Sequence, residues 1–210
     1  VFERRPVVQV TCREGKMEDL LGQLASHRLD AILSDEPPPA GMQLRTFSHL
    51  LGESGLTFCA SAVVAAGLKS KGRFPRLLHD TPFLLPTQNT ALRRDLEKWF
   101  GMHSVEPLVI GEFEDAALAK VVAAEGYGVT VVPTLVEKEA MERYGFVPLG
   151  RTSECGMRLF LVTAERNFEH PGVELLARHF TAVKAPQKEG ALRKKRPKIM
   201  AKKTSSVRLK

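Results

Sequence analysis

The chain has little of what usually betrays chemistry. Its three cysteines, Cys12, Cys59 and Cys155, stand far apart in 210 residues and form no CxxC. That spacing argues against a disulfide framework or a thiolate zinc site and fits a reducing cytoplasm. No run of 18 apolar residues occurs, so no membrane span is predicted. Six histidines (His27, His49, His79, His103, His170, His179) are scattered without an HExxH or similar pair, and each reads as a surface or capping residue. No glycine-rich stretch matches a Walker or dinucleotide loop. Gly52-Glu53-Ser54-Gly55 is one residue short of a GxSxG nucleophile elbow and reads as a turn before a strand. No catalytic set and no cofactor site are predicted, so the chain is not read as an enzyme. It opens on Val-Phe-Glu-Arg-Arg, without Met or signal peptide, and is expected to be cut from a longer protein.

Positive charge is present, but unevenly. The whole chain is +7, the mark of a nucleic-acid binder. Ten basic residues and one acid lie within residues 188–210, leaving 21 basic and 23 acidic residues before them. The body is therefore −2 and the tail +9. Dense like charge and few large apolar residues predict disorder from about residue 185. Arg193, Lys194, Lys195, Arg196, Lys198, Lys202 and Lys203 are the candidates for non-specific phosphate contact with DNA, against a plain solvated extension.

The body alternates short apolar runs with helical spacing, which predicts an α/β domain. Residues 7–12 (VVQVTC) and 30–34 (DAILS) read as parallel strands around a helix at 16–28 with Met17, Leu20, Leu21 and Leu24 inside. Further strands are predicted at 55–61, 83–85, 105–110, 129–132, 146–149 and 157–163. Helices are predicted at 62–68, 90–100, 114–125, 135–144 and 171–180. Thr90 is the expected N-cap of the third helix, and Leu118, Val121 and Val122 are expected to face inward from the fourth.

Two segments sit where open α/β sheets bind ligands, at strand ends that feed helix starts. Thr87, Gln88, Asn89 and Thr90 offer polar side chains and free backbone N–H groups, suited to an anion or a neutral polar ligand, or simply to capping. Glu112, Phe113, Glu114 and Asp115 form a carboxylate cluster that reads either as dipole compensation or as a cation or amine site. Asp35-Glu36, after the second strand, could face the same cleft, against a plain loop before the three prolines that follow.

These stretches resemble a known family. Residues 18–37 (EDLLGQLASHRLDAILSDEP) resemble the signature of the co-inducer domain of LysR-type transcriptional regulators. Residues 84–100, 111–120 (GEFEDAALAK), 132–135 (VPTL), 165–166 and 170–171 narrow the resemblance to the branch that activates sodium/proton antiporter genes. The resemblance implies two Rossmann-like lobes joined by two crossovers, as in type II periplasmic binding proteins. Lobe I would be residues 1–55 plus 153–184, lacking its first βα unit, and lobe II residues 56–152. Residues 1–55 are then not expected to hold a native arrangement without that unit. Thr87–Thr90, Glu112, Phe113, Asp115, Asp35, Pro133 and Thr134 would line an effector cleft. Glu112, Glu114 and Asp115 would be the oxygen donors of a sodium site. The implied partners are a small effector or monovalent cation, a second copy in a dimer or tetramer, and DNA through a helix-turn-helix missing here. A solute-binding protein of the same fold is the alternative, and it would carry a secretion signal upstream.

Overall fold

The computed structural model describes residues 9–39, 45–167 and 170–183. Among the described residues six strands and six α-helices follow in mixed order. Helix α1 (Met17–Ala25) buries Leu21 and Leu24, three apart on one face, against Ile32 and Val162. Strand β1 (Ile32–Ser34) follows. Strand β2 (Phe47–Ser61) then runs into helix α2 (Ala62–Lys69). Strand β3 (Pro82–Pro86) leads to helix α3 (Ala91–Met102), and β4 (Leu108–Phe113) to helix α4 (Ala116–Ala124). Strand β5 (Thr130–Pro133) passes through a 3-10 turn into helix α5 (Glu137–Tyr144). Gly145, at φ 66°, ends that helix in the left-handed conformation that a Cβ would disfavour. The long β6 (Phe146–Thr163) and helix α6 (Pro171–Val183) complete the order.

Strands β1, β6, β2 and β5 form one antiparallel sheet in that order, while β3 pairs with β4 in parallel. A parallel bridge between Phe83 and Val129 joins the two sheets, closed by Leu84 N–H to Val129 O at 2.9 Å and Val129 N–H to Pro82 O at 2.8 Å. Hydrophobic burial gathers at opposite ends of the paired β2 and β6. One end packs Leu21, Leu24, Ile32 and Val162, with Leu51, Leu161, Val173 and Ala177 beside them. The other packs Phe58, Phe83, Leu96, Trp99, Phe100 and Val129. Rings of Phe58 and Trp99 lie 4.7 Å apart at its centre. The two lobes are thus α/β packing units that share β2 and β6.

Several expectations change. Residues 9–16 carry no strand, and residues 9–12 are exposed, while residues 7 and 8 lie outside the described residues. Strand β1 pairs antiparallel with β6 instead of parallel with 7–12. A strand forms only where a neighbour accepts its backbone groups, and β6 supplies that neighbour on one side. Strands β2 and β6 each swallow a polar, glycine-containing stretch, 47–54 and 150–156, that reads as loop. Each stretch is held by the part of the other strand that was expected, residues 47–54 by 157–163 and residues 150–152 by 56–58, within a ladder from Phe47↔Thr163 to Ser61↔Phe146. Strand β4 starts at Leu108 and includes Glu112 and Phe113, so the 111–115 cluster is not one loop. Helix α4 starts two residues later than expected and buries Ala119 and Ala123, leaving Leu118 51% and Val121 50% exposed. The tail candidates Arg193 to Lys203 lie outside the described residues.

Candidate functional site

Strands β3, β4 and β5 run in the same direction, so Pro86, Phe113 and Pro133 end at one edge. Helices α3, α4 and α5 begin there, as in the ligand crevices of open α/β sheets. The polar stretch of β2 and β6 emerges at the same edge, because Leu56 of β2 pairs with Pro133.

Thr87 to Thr90 form a tight turn into α3. The Thr87 N–H donates to Phe113 O at 3.2 Å, which ties the turn to the end of β4. Thr90 caps α3 as expected, its Oγ1 accepting from Arg93 N–H at 3.2 Å and donating to Thr87 O at 2.9 Å. Thr87 Oγ1 is buried without a hydrogen-bond partner among the described residues, whereas Gln88 and Asn89 are exposed.

Behind this turn lies Arg93, 6% exposed. Its guanidinium donates to Pro86 O at 2.8 Å, Glu97 Oε1 at 2.8 Å and Glu112 Oε1 at 2.7 Å. A buried guanidinium demands such partners, so Glu112 serves Arg93 first. Asp115 caps α4, its Oδ1 accepting from Ala117 N–H at 2.6 Å. Glu114 is exposed. Among the described residues no three His, Cys, Asp or Glu side chains are arranged to hold a metal ion. The expected sodium-donor set Glu112, Glu114 and Asp115 is therefore not gathered: one carboxylate neutralises an arginine, and one caps a helix.

At the end of β5, Thr134 Oγ1 lies 3.1 Å from Thr57 Oγ1. The Thr57 hydroxyl donates to Glu137 Oε2 at 2.5 Å, and Arg151 Nε donates to the same oxygen at 2.6 Å. The Arg151 guanidinium holds the Glu137 carboxyl below the usual carboxylate range, against a smaller opposing effect of burial. Ser54 Oγ accepts from Leu135 N–H at 3.1 Å. Pro133 and Thr134 are thus held to β2, and Glu137 links the start of α5 to both β2 and β6.

Asp35 lies on the other side of the cleft. It lines a cavity of about 380 Å³ with Gly15, Met17, Leu20 and Ser34. Its neighbour Glu36 lines the same cavity and also pairs with Arg94 of α3, whose other terminal nitrogen donates to Asn89 O at 3.3 Å. Thr87–Thr90, Glu112 and Phe113 are brought together, Pro133 and Thr134 form an adjacent group, and Asp35 stands apart with α1. Sequence reading singled out Glu36 beside Asp35 but missed Arg93, Arg94 and the Thr57–Glu137–Arg151 group.

The cysteines offer no reactive thiolate in the core. Burial pushes the Cys59 thiol up to about 12 and the Cys155 thiol up to about 11. Cys12 is exposed. No helix among the described residues is long and apolar enough to cross a membrane.

Known proteins share this architecture. The family model of the LysR substrate binding domain matches residues 2–185. The transcriptional activator protein NhaR of Escherichia coli is 33% identical over 175 residues, which cover 83% of this chain and 56% of that protein; NhaR of Shigella flexneri matches equally. The chain spans about half the length of these relatives. The regulatory domain of Synechocystis CcmR, solved in complex with 2-PG, superposes with a TM-score of 0.61 at 18% identity, covering 89% of this chain and 88% of that one. Vibrio fischeri DarR, solved in complex with DNA, gives a TM-score of 0.65 at 13% identity, covering 85% of this chain and 59% of that one. Two α/β lobes on shared crossover strands, with three strand ends opening on one cleft, belong to a chain of the LysR substrate-binding domain family.

Proposed function

We propose that this chain is the effector-sensing part of a LysR-type, DNA-binding transcriptional regulator, a cytoplasmic protein and not an enzyme. The regulator activates genes for sodium/proton antiport or for cation and osmotic stress. The observation that carries the reading is the convergence of the β3, β4 and β5 ends with the crossover strands at one edge, where Thr87, Gln88, Asn89, Thr90, Phe113, Pro133 and Thr134 would line the effector cleft. A ligand there shifts the lobe arrangement by as much as it binds one arrangement better. The relatives' name as activators supports the sodium response. Because Glu112 and Asp115 are committed to Arg93 and to α4, sodium acts through the cleft as a whole or indirectly. In the intact regulator, a target-promoter reporter is expected to respond to NaCl and not to KCl at equal ionic strength. Equal responses to both salts would contradict the sodium reading.

A second copy completes the assembly. Strand β4 pairs with β3 on one side only among the described residues, and it exposes Leu108, Val109 and Ile110. Leu118 and Val121 of α4 add to that apolar face. An open strand edge beside an apolar helix face is an association surface, and a homodimer, or a tetramer built from it, covers it. Val121→Glu is expected to turn the intact regulator monomeric at micromolar concentration in sedimentation velocity. An unchanged sedimentation coefficient would place the interface elsewhere. The basic tail contributes non-specific phosphate contacts to the DNA-bound assembly.

A further inference from the structure

We infer that Glu36 and Arg94 form an interlobe latch that the effector has to release, an inference that rests on the cleft reading above. Glu36 sits on the segment after β1, at the end of the molecule packed by Leu21, Leu24 and Ile32. Arg94 sits in the first turn of α3, whose Leu96, Trp99 and Phe100 belong to the other core. The two residues are 58 positions apart, and their ion pair bridges the cleft directly. Glu36 is aimed by its own backbone, since its N–H donates to Ser34 Oγ at 3.2 Å. Arg94 is aimed by its bond to Asn89 O, within the turn that faces the cleft. The pair therefore stands against Thr87–Thr90, in the path of a ligand that reaches that turn.

Arg93 and Arg94 divide the work. Arg93 is buried and neutralised within its own lobe by Glu97 and Glu112. Arg94 has its carboxylate partner across the cleft, with side chains 47% and 45% exposed. Exposed pairs of this kind are weak, which suits a contact that must open. A latch of that strength shifts the lobe equilibrium, and with it the apparent effector affinity, by about two- to fivefold. Both residues are positioning residues, since they act by holding one lobe against the other.

The test uses the intact regulator in a Cys12→Ser background, with spin labels on Asp19→Cys of α1 and Met102→Cys of α3. Buried Cys59 and Cys155 stay unlabelled. Pulsed dipolar spectroscopy reads the interlobe distance, and an NaCl titration at constant ionic strength reads the induction midpoint. Glu36→Arg and Arg94→Glu alone are each expected to add a longer-distance population and to lower the midpoint about two- to fivefold. The double reversal Glu36→Arg/Arg94→Glu is expected to restore both. Distances that superimpose on wild type in the single variants, or that the double reversal fails to restore, would overturn the latch. Distances that move while the midpoint stays fixed would overturn its role in effector release. Failure of the cleft reading itself shows separately, as full NaCl induction in a variant altered at Gln88.

Discussion

Gly156→Ala is expected to lower the melting temperature by roughly 3–10 °C, a loss of about 1–3 kcal/mol. Strands β2 and β6 approach each other so closely that a Cβ on Gly156 would stand 2.3 Å from Ser54 O, and one on Gly55 would stand 2.4 Å from Thr152 O. Both obstacles are backbone atoms of the partner strand, so no rotamer change relieves the clash. The register slips at the same place, from Gly55↔Gly156 to Leu56↔Thr152, leaving residues 153–155 as a bulge on β6. Glu154 of that bulge accepts from Trp99 Nε1–H at 3.1 Å and pairs with His103, so the crossing is fastened to α3. A backbone shift at Gly156 therefore strains a joint that both lobes share. Thermal unfolding by circular dichroism measures it, with Gly22→Ala as the control. A Cβ at Gly22, inside α1, meets nothing within 4 Å, and alanine there favours the helix. A Gly156→Ala protein that melts with wild type would mean the two strands cross more loosely than described.

Glu112→Gln should cost about 1–3 kcal/mol, and the cost should vanish when Arg93 is also removed. Arg93 is 6% exposed, and its charge is offset by Glu112 and Glu97. Glu112 is the closer partner at 2.7 Å, but its side chain is 37% exposed, so solvent screening keeps the figure below that of a fully buried pair. Glutamine keeps an acceptor but not the charge, so the guanidinium is left with the carboxylate of Glu97. Removing both, as Arg93→Met/Glu112→Gln, leaves an apolar stem against the end of β3 with no charge to satisfy. Chemical denaturation of the four proteins closes the cycle: Glu112→Gln is destabilised while Glu112→Gln in the Arg93→Met background is near neutral. Additive losses would show that the ion pair carries no coupling. Asp115→Asn should change little, because asparagine caps a helix nearly as well. Any altered sodium response of a Glu112→Gln/Asp115→Asn protein thus has to be read against its stability.

The sequence displays what depends on local chemistry. Thr90 precedes an amphipathic run with Leu92, Leu96, Trp99 and Phe100, and it caps α3 through Arg93 N–H. The turn at 87–90 and the acids at 112–115 were legible because they lie between strand and helix patterns. Arg93 also left a trace, since it stands three residues before Leu96 and seven before Phe100, on the stripe that is buried. A charged residue on a buried stripe asks for a partner, and that demand takes Glu112 away from cation binding. The long strands β2 and β6 were illegible because residues 47–54 pair with 157–163 and residues 150–152 pair with 56–58, over a distance in sequence that no local pattern encodes. Leu118 and Val121 have the spacing of a buried face yet lie outward, since Ala119 and Ala123 fit the tighter space against the sheet. Glu36–Arg94 and Thr57–Glu137–Arg151 are likewise made by tertiary approach alone.

The most direct measurement is the salt response of the intact regulator carrying Gln88→Trp. Gln88 is exposed at the cleft end of β3, so the larger side chain crowds the ligand space without entering a core. Melting temperature and operator affinity are expected to stay within error of wild type while induction by NaCl falls at least about tenfold. Wild-type induction by NaCl in this variant would contradict sensing at the cleft.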